Sequence, residues 1–95
     1  MYIDDFIWLP EIEDKLVFKH HVSKDEAEEV FFNQPHFRFV ESGNRPGEDV
    51  YSVSGQTNAG RYLIVFFIYK TGNLALIVSG RDMDSSERRY YERKR

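Results

Sequence analysis

The sequence predicts an α+β fold: a short N-terminal strand and two helices, an antiparallel meander of about four strands, and a basic C-terminal helix. Three observations carry that expectation. Apolar residues recur at helical spacing in the first third of the chain, and the period drops to two in the middle. Helix-start signals stand at Pro10, at Ser23 with Glu26, and at Asp84 with Glu87.

Phe6, Ile7 and Trp8 form a short apolar stretch that reads as an edge strand. Pro10 suits a first helical position, where a missing N–H costs nothing. Ile12, Leu16 and Val17 then place an amphipathic helix over residues 10–20. Ser23 and Glu26 form a capping box for a second helix, with Ala27, Val30 and Phe31 as its buried stripe. Asn33 and Pro35 end it. Phe37 and Phe39 alternate with Arg38 and Val40, and Val50, Ser52 and Ser54 with Tyr51 and Val53, as in strands with one solvated face. The turn-forming run Ser42–Gly47 between them is the expected mobile loop.

Thr57–Gly60 is a second turn. Tyr62–Tyr69 is apolar on both faces, as in a central strand covered on both sides. A hairpin turn at Thr71–Asn73 leads to a strand over Leu74–Val78. Ser79-Gly80-Arg81 follows, where that strand is expected to give way to the final helix running towards Arg95. The helices are expected on one face of the sheet.

Ninety-five residues suit one domain over 1–95. Eight Phe, six Tyr and one Trp supply an efficient small core. With no Cys there is neither a disulfide framework nor a thiolate metal site, which fits a reducing cytoplasm. The acidic start does not resemble a secretory signal, and the longest apolar run is far short of a membrane helix, so no membrane partner is expected.

Net charge is −3, but it is unevenly spread. Residues 1–51 carry 12 acidic and five basic side chains, whereas residues 52–95 carry four acidic and eight basic. One surface of the protein is thereby suited to an anionic partner.

His20 and His21 are neighbours and do not form the i, i+4 pair of a helical zinc site; with Lys19 they suit the last turn of a helix. No metal and no cofactor is expected. Arg81 reads equally as a phosphate clamp or as a surface charge near Asp82 or Asp84. In the final helix, Glu87, Tyr91 and Arg95 share one face, Arg88 pairs with Glu92, and Arg89 stands four before Arg93. The guanidiniums of Arg88, Arg89 and Arg93 suit RNA phosphates, a tyrosine can stack on a base, and a carboxylate can move a proton. The alternative is structural: Glu87 caps its helix, and Tyr90 or Tyr91 anchors it to the sheet.

Several segments together resemble the BrnT toxins. Lys19-His20-His21-Val22-Ser23, leading into Asp25–Phe31, resembles that family's "KHGVSFEEAEEVF" block. Ser79-Gly80-Arg81 with Glu87 and Tyr91 resembles its closing "SAR…E…Y" block, Trp8 its early tryptophan, and Gly60-Arg61-Tyr62-Leu63 its "GR-x-L" strand. The resemblance implies a fold similar to the RelE ribonucleases and metal-independent cleavage of an RNA substrate. It also implies a cognate ribbon-helix-helix antitoxin, through which alone DNA is bound. Carried over, the catalytic candidates are Lys19, His20, Arg81, Glu87 and Tyr91, with Arg61 joining the RNA-binding arginines.

Arg81 is expected on phosphate, Glu87 or a neutral His20 as base, Lys19 as charge stabiliser and Tyr91 as positioner. Three departures stand out. Val50 and Leu76 occupy positions where the family commonly has Arg, and His21 replaces a usual glycine. The competing expectation is therefore a weak or inactive member that serves as an interaction module for an antitoxin or another partner.

Overall fold

The computed structural model describes residues 1–95. Its element order is β1 (Asp5–Ile7), α1 (Pro10–His20), α2 (Lys24–Glu29), β2 (His36–Glu41), β3 (Val50–Gln56), β4 (Tyr62–Lys70), β5 (Leu74–Asp82) and α3 (Ser85–Lys94). The α+β class is as expected, but the sheet has five strands and is mixed, in the order β1-β5-β4-β3-β2. The meander β2–β5 is antiparallel, while β1 joins it parallel to β5, with Phe6 opposite Ala75. A parallel partner needs a long crossover, and α1 through β4 together provide it. No helix is long and apolar enough to cross a membrane.

The local signals explain the helix ends. Pro10 opens α1, and both capping boxes form: the Ser23 hydroxyl accepts from the Glu26 N–H, and the Asp84 carboxylate accepts from the Glu87 N–H. At the end of α1, His21 sits at φ 54°, and its N–H donates to Val17 O while that of Val22 donates to Leu16 O. This is a Schellman closure, which normally takes glycine because a Cβ is strained there. The position where the resembling family has glycine is thus a left-handed one that His21 fills. Helix α2 is shorter than expected, stopping at Glu29 as the chain tightens into i→i+3 bonds at Phe31 and Phe32.

One cluster forms the core. Leu16 and Val22 from the α1 region and Ala27, Val30 and Phe31 from the α2 region pack on Val53, Leu63, Val65, Phe67, Ala75 and Ile77 of the sheet. Phe31 meets Phe67 edge-on at 5.1 Å between ring centroids. Trp8 is tied to α2 by its indole N–H, which donates to Glu28 at 2.8 Å.

The expectation that all helices share one sheet face does not hold. Strand residues alternate between faces, and α3 packs on the face opposite the core cluster. Tyr91 lies against Tyr62, and Tyr90 against His36. Both strand partners have the parity opposite to Val53, Val65 and Phe67. A helix as polar as α3 could not have filled the core face; it covers one end of the far face and leaves the rest open.

Strand β5 also runs beyond its expected end, to Asp82, because Gly80, Arg81 and Asp82 continue to pair with Val65, Ile64 and Leu63. The register shifts between Phe66 and Phe67, which oppose Ser79 and Ile77 and leave Val78 as the extra residue. That bulge inverts the alternation in the rest of β5. Gly80 turns to the core, where an added Cβ would lie 3.2 Å from Leu16 Cδ2, and Arg81 turns to the far face.

Candidate functional site

The far face carries a cleft of about 310 Å³ between β2, the middle of the sheet and the start of α3. Arg38, Phe39, Ser52, Ile64, Phe66 and Glu87 are among its lining residues. Arg38, Ser52, Phe66 and Ser79 lie opposite one another on successive strands, so they form one row of side chains. A larger hollow of about 540 Å³ lies at the corner of Asn33 and Asn58, but Arg95 is the only ionisable side chain lining it. The smaller cleft brings a carboxylate, Glu87, and a guanidinium, Arg38, to one lining.

Arg38 and Glu87 are its charged lining residues, and Arg81 adjoins it through its pair with Glu87. Arg81 Nη1 and Nη2 donate to the two carboxylate oxygens of Glu87 at 2.7 and 3.0 Å, a fork-to-fork pair. Glu87 also accepts from the Asp84 N–H at 2.9 Å. The guanidinium holds the Glu87 carboxyl below its usual range, and burial opposes that only in part. The sequence reading of Arg81 as a charge near Asp82 or Asp84 left out Glu87. Its partner is Glu87, and it also donates to the backbone carbonyl of Asp82.

The second cluster lies at the opposite side of the sheet end. Arg61 donates through Nε and Nη2 to the two oxygens of Asp82 at 2.8 and 3.1 Å. Nη1 reaches His21 O at 2.6 Å and Glu26 at 3.3 Å, and Nη2 also reaches His20 O at 3.1 Å. These contacts engage all five N–H groups of a guanidinium. Arg61 thus closes the carbonyl end of α1 and ties it to α2 and β5. It has no N–H to spare for an RNA phosphate while these contacts last. Lys19 is exposed on α1 and His20 is half-buried at its end, so both belong to this group. The structure does not bring them together with Arg81 and Glu87.

In α3, Tyr91 is fully buried and its hydroxyl donates to Gln34 O at 2.9 Å. Arg88 stacks on Tyr62 with its guanidinium 3.9 Å from the ring centroid and pairs with Glu92 at 3.4 Å. Arg89 and Arg93 are exposed and form no ion pair.

Sequence reasoning assigned Arg38 and His36 no place in a site, and Tyr90 only that of an anchor for the final helix, which its packing on His36 fits. Arg38 stands 4.6 Å from the centroid of the Tyr90 ring, and Lys94 Nζ 5.4 Å from it. The His36 ring lies 5.5 Å from Tyr90, and its Nε2 is buried without a hydrogen-bond partner. The alternation of Phe37 and Phe39 had already put Arg38 on the opposite face; what the sequence lacked was that α3 lies there too.

A family model described as the BrnT ribonuclease toxin of type II toxin–antitoxin systems matches residues 8–87. The chain belongs to this family. It is accordingly a ribonuclease toxin, and an antitoxin is its partner. No curated protein matches the chain at the level of sequence. The matched stretch holds the cleft residues of β2–β5 and Glu87, and stops short of the cations from Arg88 to Arg95. In the toxin, Val50 and Leu76 prove to be neighbours in one row: Val50 opposes Ile68, Ile68 opposes Leu76, and Leu76 opposes Ile7. This row is apolar from Ile7 to Val50 and ends at Glu41 on β2.

The carboxyls of Glu26, Asp82, Asp84 and Glu87 all titrate below their ordinary values. Hydrogen bonds dominate each shift: from the Ser23 backbone to Glu26, from Arg61 to Asp82, from the Glu87 backbone to Asp84 and from Arg81 to Glu87. A depressed carboxyl means that the unfolded chain binds the proton first. These groups stabilise the fold above the ordinary values of 3.8 and 4.5, and that contribution is lost as pH falls through the depressed ones. His36 has the same sign, since burial and the charges of Arg38 and Lys94 lower its pKa from 6.5. The melting temperature should begin to decline below pH 6.5 and fall more steeply below 4.5. Scanning calorimetry across that range checks this; a midpoint that rises between 6.5 and 4.5 would overturn the assignment for His36.

Proposed function

We propose that the toxin cleaves single-stranded RNA in the far-face cleft, without a metal, by in-line attack of the substrate's own 2′-hydroxyl. The Arg81–Glu87 pair at the cleft wall carries this reading. A backbone phosphate that takes the Arg81 guanidinium withdraws the contact that most depresses the Glu87 carboxyl. Glu87 then becomes the stronger base at the moment the substrate arrives. It accepts the 2′-hydroxyl proton, the 2′-oxygen bonds to phosphorus, and the bond from phosphorus to the 5′-oxygen breaks. The leaving oxygen takes a proton from water in the open cleft. Arg81 stays on the phosphate and stabilises the charge that grows there.

Arg89 and Arg93 extend the positive surface for flanking phosphates. Lys19 and His20, on the other side of the sheet end, serve as secondary contacts on the same terms. Tyr91 and Arg61 hold the site in shape. The antitoxin is of the ribbon-helix-helix kind and brings the DNA contact, and the module works in the cytoplasm.

Metal-independent attack by the 2′-oxygen leaves a 2′,3′-cyclic phosphate and a 5′-hydroxyl. Purified toxin incubated with RNA in excess EDTA should therefore give such ends at an undiminished rate. Cleavage that stops with EDTA, or that leaves 5′-phosphates, would sink the proposal. The apolar row Ile7–Leu76–Ile68–Val50 favours one second reading, a weak nuclease whose main task is to bind its antitoxin. Under that reading the protein forms the complex normally but yields no new RNA ends.

A further inference from the structure

We propose that Arg38, stacked on Tyr90 beside Lys94, is the toxin's first phosphate site, seizing the RNA backbone before Arg81 is released from Glu87. This rests on the reading of the far-face cleft as the place of cleavage. Two arginines serve the cleft, Arg38 in its lining and Arg81 beside it through Glu87, and their situations differ. Both forks of Arg81 are occupied by Glu87. Arg38 has no carboxylate within ion-pair distance, is exposed, and lines the cleft directly.

Its neighbours strengthen the case. Arg38 and Lys94 converge on a single tyrosine, at 4.6 and 5.4 Å from the ring centroid, and no acidic side chain pairs with either. Two cations gathered without a counter-charge repel each other, and an anion bound between them relieves that repulsion. Tyr90 orients the Arg38 plane by stacking, which leaves the edge of the guanidinium open for two parallel bonds to phosphate oxygens. His36 lies beside Tyr90 with its Nε2 unpartnered, and burial first, then the charges of Arg38 and Lys94, favour its neutral form.

Sheet geometry sets the span between the two arginines. Arg38 shares its row with Phe66, and Arg81 stands one row away opposite Ile64 on the same face. Arg81 is also three strands away across the sheet, so with strands about 4.8 Å apart and same-face rows about 7 Å apart the two backbones are about 16 Å from each other. A strand held at Arg38 can therefore run across the sheet and present a phosphate about two or three nucleotides further on to Arg81, with the Phe66 ring between them for a base. The neighbouring row, Ile7–Leu76–Ile68–Val50, has no cation to compete.

The test is the salt dependence of binding to a random single-stranded oligonucleotide with 2′-O-methyl groups, which cannot be cleaved, alongside cleavage of unmodified RNA. Removing one phosphate contact lowers the slope of log K against log salt by about 0.7 for a single strand. Arg38→Ala should show that loss together with a raised KM, while Arg38→Lys keeps the slope. Tyr90→Leu should weaken binding with the slope intact, since the charge remains, and Tyr90→Phe should restore it. A purely structural role would leave the slope untouched. If Arg38→Ala keeps the wild-type slope and KM while Arg81→Ala abolishes cleavage, this inference falls and the cleft stands. If wild type cleaves and the Arg38, Arg81 and Glu87 variants all cleave as well, the cleft falls and the inference with it.

Discussion

Replacing Arg81 by alanine lowers RNA cleavage by about 10²–10³-fold, the usual cost of losing one oriented charge that stabilises a transition state. The side chain is on β5, aimed at the cleft by the bulge at Val78, and it lies over Phe66 at 5.8 Å from the ring centroid. Without it the substrate phosphate has no guanidinium to neutralise it as the pentacoordinate state forms. The fold should persist, because Glu87 keeps its capping contact with the Asp84 N–H. Glu87→Gln should cost a similar factor, through the lost base and not through lost phosphate binding.

The pH profile separates the two roles. With Arg81 bonded to it, Glu87 titrates below 4.5, so the acid limb of kcat/KM in wild type lies below that value. In Arg81→Ala the largest cause of the depression is gone, and the limb should move up towards it. Quenched-flow cleavage of a labelled RNA from neutral to acid pH reads both. An acid limb near 6.5 in wild type, the ordinary histidine range, would transfer the base role to a histidine such as His20.

Tyr91→Ala should cost about 3–5 kcal/mol of stability, the largest loss expected from any residue of the final helix. Its ring is fully buried and packs edge-on against Tyr62 at 6.0 Å, and its hydroxyl holds the Gln34 carbonyl. Truncation would leave a cavity under α3, a carbonyl without its donor, and the helix loose on the sheet. The milder Tyr91→Phe removes only the hydrogen bond and should cost about 1 kcal/mol. Urea denaturation of the three proteins gives the stabilities. Cleavage by Tyr91→Phe should stay within about twofold of wild type, since a side chain with no exposed surface does not meet RNA. A much larger loss of cleavage with stability preserved would instead make the phenol part of the chemistry.

Tyr91 also shows how far a single chain can be read. Its spacing from Glu87 placed it on the helix face that also holds an acid, and both readings, base-stacking and anchoring, were open. Exposure decides between them, and exposure depends on which sheet face α3 covers. Arg61 is similar. Its charge suggested phosphate, but the four acceptors nearest to it in space come from residues 20–26 and 82, far away along the chain. Arg38 went unnoticed for the converse reason, because its value comes from Tyr90 and Lys94, more than fifty residues further on.

What the sequence by itself determined is local. Pro10, the two capping boxes and the hydrophobic spacing set the helix starts, the alternation of Phe37–Phe39 and Val50–Ser54 set two strands, and the order of segments carried the family. Each of those signals acts over a few residues through backbone hydrogen bonds and side-chain periodicity. Only the tertiary structure decided the parallel addition of β1, the side of the sheet taken by α3, and the bulge at Val78. That last feature matters most for the site. Unbroken alternation puts Arg81 on the same face as Ala75 and Ile77, among core residues. One extra residue in the ladder instead points Gly80 at Leu16 and Arg81 at Glu87. Packing favours this choice, because a small residue is suited to the close approach to Leu16 and the far face offers Arg81 a carboxylate partner in Glu87.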